Sequence, residues 1–172
     1  MESISIIKEK FKDRTEEELR SLIKEYASDE RAGVAAIRER AEKSLEALKA
    51  ERERMKHMFS YERQYPDAKY ICGIDEVGRG PFAGPVVACA VILPKEEECD
   101  ILYLNDSKQV RAKMREKLSE EIKEKAVAYG IGIVDNRRID EINILQATFE
   151  AMREAIKNLS VTPDILLNDA VT

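Results

Sequence analysis

Asp75 and Glu76 are adjacent acids at the end of an apolar run, Tyr70-Ile-Cys-Gly-Ile, and a glycine-rich segment follows them at once. Strand alternation points Ile71, Gly73 and Asp75 to one face and Cys72, Ile74 and Glu76 to the other, so one carboxylate lies over a sheet and its neighbour sits beside it at the strand's end. Two carboxylates about 4 Å apart repel by roughly 4 kcal/mol at an effective dielectric near 20, a cost relieved by taking up a proton or binding a cation. Hard oxygen ligands favour Mg2+ or Mn2+. A third acid, Asp169, ends a short apolar run that starts after Pro163. By itself Asp169 reads as a turn residue after a strand; with Asp75 and Glu76 it makes three carboxylates at strand ends that could converge on divalent ions.

The segment after the acid pair, Gly78-Arg79-Gly80-Pro81-Phe82-Ala83-Gly84, differs from a dinucleotide loop. Its glycine spacing is wrong, prolines interrupt it, and a strand follows where a phosphate-binding helix would begin. It reads as a glycine-rich hairpin turn, or as a loop whose exposed amides face a ligand. Asn105-Asp106-Ser107-Lys108 precedes a helical pattern, which makes Ser107 a helix N-cap and sets Lys108 at a helix start. A lysine there opposes the helix dipole by up to about 1 kcal/mol unless a phosphate is bound nearby. Asn143, in Ile139-Asp140-Glu141-Ile142-Asn143-Ile144-Leu145, sets an amide among apolar residues, as a ligand contact or as turn and helix-start structure.

Four segments in this order, Gly73-Ile-Asp75-Glu76-Val-Gly78-Arg79-Gly80-Pro81, Asn105 to Lys108, Ile139 to Leu145, and Leu167-Asn168-Asp169-Ala170, closely resemble bacterial ribonuclease HII, the type 2 ribonuclease H. The resemblance covers about residues 70 to 172; residues 1 to 69 match more loosely, as a helical extension present in some members. It implies a ribonuclease H-like α/β fold, a mixed sheet with flanking helices, preceded by an all-helical N-terminal extension. It also implies an endonuclease that hydrolyses the RNA strand of RNA–DNA hybrids and cuts on the 5′ side of ribonucleotides embedded in duplex DNA. The products would carry 5′-phosphate and 3′-hydroxyl ends. Catalysis would use two Mg2+ or Mn2+ ions on Asp75, Glu76 and Asp169, with Asp75 bridging both. Gly78, Arg79 and Gly80 would contact the ribonucleotide, whose 2′-hydroxyl both donates and accepts; Lys108 would approach a phosphate, and Asn143 is a further substrate candidate. The family has a fourth aspartate, later helices and a stacking tyrosine beyond the point where this sequence stops at Thr172. The expectation is therefore a C-terminally incomplete domain, a monomer when complete, with impaired activity alone. The alternative is a module, built on the helical extension, that binds nucleic acid or a protein partner without cutting.

The elements that would position these residues follow from pattern. The composition, 44% hydrophobic and 37% charged, is that of a globular protein, and its longest apolar run is far too short for a membrane span. Cys72, Cys89 and Cys99 are odd in number and without ligand spacing, which indicates reduced thiols and a cytoplasmic setting. Net charge is −5, and residues 1–60 hold 14 basic and 14 acidic side chains, so any phosphate-binding surface must be local, drawn from Arg79, Lys108, Arg111, Lys113, Arg137 and Arg138.

The chain divides near Pro66 into a helical part, 1–66, and an α/β part, 67–172. In the first, Thr15 to Glu18 has the form of a capping box, and a long helix runs from near Asp29 to near Met58 with a narrow seam of Ile37, Ala41, Leu45 and Leu48. His57, the only histidine, lies among charges at its end. In the second, strands are expected at 70–75, 85–93, 126–135 and 165–169, and helices at 108–125 and 140–159. The short first turn makes the first two strands antiparallel, and the later helical crossover allows a parallel partner.

Overall fold

The computed structural model describes residues 2–81 and 83–168. By its contacts the chain forms two compact units, Met1–His57 and Met58–Thr172.

The first unit is helical: α1 (Ile4–Lys10), α2 (Glu16–Glu25) and α3 (Ala32–Met58). Thr15 caps α2 with the full reciprocal box: its hydroxyl accepts from the Glu18 amide at 3.3 Å, and the Glu18 carboxylate accepts from the Thr15 amide at 2.8 Å. Ile7, Tyr26 and Val34 form its small core, with Phe11, Leu22 and Ile37 packed around them.

The second unit holds a four-stranded sheet in the order β3-β2-β1-β4, formed by β1 (Ile71–Val77), β2 (Val86–Ile92), β3 (Ala128–Val134) and β4 (Ile165–Asn168). β1 pairs antiparallel with β2 and parallel with β4, and β2 pairs antiparallel with β3, which is the mixed sheet expected from the short hairpin and the helical crossover. β1 therefore sits inside the sheet, flanked on both sides.

One face of the sheet is closed by α6 (Ile144–Lys157). Cys72, Ile74, Val86, Ala88, Ala90, Ile92, Ala128 and Val134 pack there on Ala147, Ala151, Met152 and Ala155. The alanines recur every fourth residue and form a small-residue stripe, and the opposed strand has matching gaps. A Cβ on Gly132 would stand 2.0 Å from the Ala151 carbonyl oxygen, and one on Gly130 2.2 Å from that of Ala155. The helix backbone thus rests almost directly on β3. Glu154 of α6 and Asn158 at its C-cap also close the free edge of that strand: Glu154 accepts from the Ile133 amide at 3.0 Å, and Asn158 donates to the Ile131 carbonyl at 2.8 Å.

Two expected helices begin or break elsewhere. The helix expected from Lys108 is α4 (Ala112–Lys125), whose N-cap position is Arg111. Residues 106–110 form a turn instead, because the Asp106 carboxylate captures the Lys108 amide at 2.8 Å. Ser107 is thus not a helix cap, and Lys108 faces no opposing helix dipole. The helix expected over 140–159 is two helices, α5 (Asn136–Ile142) and α6, broken at Asn143, which has φ of 67°. All three cysteines are free: Cys72 is buried, Cys89 and Cys99 partly so.

Candidate functional site

Asp75 and Glu76 are the fifth and sixth residues of β1. Alternation divides them as the sequence requires: Cys72 and Ile74 are buried under α6, while Gly73 and Asp75 lie exposed on the opposite face. The Asp75 carboxylate accepts from the Glu76 amide at 2.8 Å. The Glu76 carboxylate receives Arg79 at 3.1 Å across the start of the hairpin turn.

Backbone geometry holds that turn. Gly78 has φ of 99°, and a Cβ on it would meet the Pro85 carbonyl oxygen at 2.4 Å, so glycine is required there on both counts. Gly80 is different, since a Cβ would meet nothing within 4 Å. Among the described residues, packing leaves that side of the turn open.

Directly across from Asp75 in the antiparallel pairing stands Cys89. Burial pushes the Cys89 thiol up, so it borders the acid as a neutral group. Both residues line a cavity of about 970 Å3 over the open sheet face, walled by Ile71, Val91 and Leu167 and reached by Asn105 of the second motif. On the other side of β1, the parallel pairing with β4 runs from Ile71 opposite Ile165 to Ile74 opposite Asn168. Asp75 is the next residue on one strand; Asp169, next in sequence on the other, lies outside the described residues.

The structure thus gathers Asp75, Glu76, Gly78, Arg79 and Gly80, and brings Asn105 to the same cavity as Asp75. Among the described residues, no hydrogen bond or ion pair joins Lys108 or Asn143 to the acid pair or to Arg79. Asn143 is exposed, and its side-chain oxygen accepts from the Gln146 amide at 3.1 Å as the N-cap of α6. Of the basic side chains considered for phosphate, Arg138 is engaged by Glu141 and Glu150.

Two features escape a reading of the sequence. Cys89 faces Asp75 only through the hairpin register, which could have been counted outward from the glycine turn. Asp164 accepts from the amides of Lys69 and Tyr70, both at 2.9 Å, and so ties the start of β4 to the start of β1. Its partners are 95 and 94 residues away, and no local signal announces them.

Chemically, the acid pair offers carboxylate oxygen, the donor type of Mg2+ and Mn2+. Among the described residues, no group of three or more His, Cys, Asp or Glu is arranged to hold an ion. The donor chemistry of the pair suits such ions, and two carboxylates alone are fewer ligands than a closed site needs.

Comparison with known proteins agrees with the motif order. The family model described as ribonuclease HII matches residues 72–172, and that described as ribonuclease HII N-terminal domain matches residues 3–66. A ribonuclease HII of Lachnoclostridium phytofermentans is 60% identical over 147 residues, which are 86% of this chain and 57% of that protein. A ribonuclease HII of Enterococcus faecalis is 48% identical over 179 residues, 99% of this chain and 66% of that protein. The chain thus spans less than two thirds of the length of these relatives. The crystal structure of a ribonuclease H2 from Pyrococcus horikoshii superposes with a TM-score of 0.52 at 29% identity, over 59% of this chain and 50% of that one.

Proposed function

The chain belongs to the ribonuclease HII family, and from that premise we propose that it is a metal-dependent endonuclease acting on the RNA strand of RNA–DNA hybrids and on the 5′ side of ribonucleotides embedded in duplex DNA. Its mixed sheet with flanking helices has the ribonuclease H-like fold. In this reading residues 1–66 are a helical extension, residues 67–172 carry the chemistry, and the protein works in the cytoplasm on nucleic acid. No helix among the described residues is long and apolar enough to cross a membrane.

The observation that carries the proposal is the placement of Asp75 and Glu76 at the end of an interior strand, against a turn that the described residues leave open at Gly80. Asp75 and Glu76, with Asp169 as a third carboxylate, would hold two Mg2+ or Mn2+ ions, which when bound supply water activation and charge stabilisation at the leaving 3′-oxygen. The chain's own residues do the rest. Gly78 and Gly80 keep side-chain bulk away from the strand, so backbone groups of the turn can reach a 2′-hydroxyl. Lys108, in its exposed turn, offers a point charge to a phosphate, and Asn143 is the further candidate for a substrate contact. No side-chain nucleophile is needed.

The test is Mg2+-dependent cleavage of a DNA duplex carrying one ribonucleotide, by this chain and by Asp75→Asn. The expected products are 5′-phosphate and 3′-hydroxyl ends, formed at a reduced rate by this chain and lost in the variant while duplex binding is kept. Binding without cleavage in both would instead favour a non-cutting module.

A further inference from the structure

Arg79 and Glu76 form a close pair at the mouth of the site. The guanidinium stands 3.1 Å from the carboxylate; the Glu76 side chain is 15% exposed and that of Arg79 38%. Among the described residues this is the one ion pair that either side chain makes. The pairing is also mechanically simple to exchange. The arginine reaches the carboxylate through a long side chain with several rotatable bonds, so it can leave Glu76 without a change of backbone. Among the described residues, the side of the turn at Gly80 is open.

Resting on the cation-site reading above, we propose that Arg79 is an internal counter-ion which occupies Glu76 while no divalent cation is bound, and that it must leave Glu76 before that carboxylate can ligate one. A guanidinium and a divalent cation on the same carboxylate repel each other, so the two states exclude one another. Arg79 is then a positioning residue. With the cation absent, it prevents two adjacent carboxylates from standing uncompensated. Once displaced, it extends past the open side of the turn and is free for a phosphate of the bound strand, in the fork geometry guanidinium offers to phosphate. Because one side chain serves both states, cation binding and strand binding favour each other reciprocally.

Calorimetric titration of this chain with Mn2+ alone tests the exchange. Arg79→Ala is expected to tighten Mn2+ binding by about two- to five-fold, the range set by losing one partly exposed competing ion pair. The same substitution made on Glu76→Gln is expected to give no gain. An unchanged or weaker affinity in Arg79→Ala overturns the proposal, as does an equal gain on the Glu76→Gln background, which would mark a general charge effect. Asp75→Asn separates the cation site from the exchange: Mn2+ binding that is absent, or indifferent to Asp75, removes the cation site itself and the exchange with it. Binding that depends on Asp75 but ignores Arg79 removes the exchange alone. Thermal unfolding of each variant guards against loss of fold.

Discussion

Asp164 and Tyr70 are tied in both directions: the Tyr70 amide donates to the Asp164 carboxylate at 2.9 Å, and the Asp164 amide donates to the Tyr70 carbonyl at 2.8 Å. The same carboxylate takes the Lys69 amide. This clasp stands one residue before the first β1–β4 pair, Ile71 with Ile165, and so fixes the parallel register that runs to Ile74 and Asn168. Replacing Asp164 by Ala is expected to cost about 1–2 kcal/mol, since one charged acceptor serving two amides is lost. Asn, which keeps one acceptor oxygen, should recover part of it. Urea unfolding of the two variants measures both values.

The contact of α6 with β3 leaves no room for a methyl group at Gly132, where a Cβ would stand 2.0 Å from the Ala151 carbonyl oxygen and 2.7 Å from the Ala155 amide nitrogen. These are backbone atoms and cannot swing aside. Gly132→Ala is therefore expected to destabilise the second unit by at least about 1–3 kcal/mol, the usual cost of overpacking. Gly80→Ala, with nothing within 4 Å, should leave stability within about 0.5 kcal/mol of the parent. Thermal unfolding of the pair gives the comparison.

In the helical unit, the Arg31 guanidinium donates to both oxygens of Asp29, the shortest contact being 2.6 Å, and holds the Asp29 carboxyl down at about 2 against an ordinary 3.8. A carboxyl depressed by folding contributes stability that is complete above its unfolded value and is lost as pH falls toward its folded value. The contribution of Asp29 should therefore be intact above about pH 4 and disappear between there and about pH 2. NMR titration of the Asp29 side chain should place its midpoint near 2 in the parent and return it toward the ordinary range in Arg31→Gln.

Much of this site is legible in the sequence because its signals are local. The alternation around Asp75, the glycines after Glu76 and the apolar run from Val86 are enough to set an antiparallel hairpin with an acid pair at one end. The helical crossover before Ile165 then gives the parallel neighbour. What is not legible depends on side chains diverting backbone groups, or on partners far along the chain. Asp106 captures the Lys108 amide and delays α4 to Ala112. Asn143 takes a positive φ and breaks one expected helix into two while capping the second. The helical periodicity of its neighbours continues through the break, so periodicity alone does not reveal it. Cys89 opposite Asp75 requires a register, and the Asp164 clasp requires the finished sheet.

If Asp75 and Glu76 bind a divalent cation at the end of β1, a paramagnetic ion should find them. Mn2+ broadens NMR signals of nearby nuclei, so titrating trace Mn2+ into the 15N-labelled chain and reading its amide signals tests this directly. Selective broadening centred on Asp75 and Glu76, extending to Gly73 and Cys89 on the same face, is expected, together with its loss in Asp75→Asn. Broadening that is spread evenly over the acidic surface, or that persists around β1 in Asp75→Asn, would contradict it.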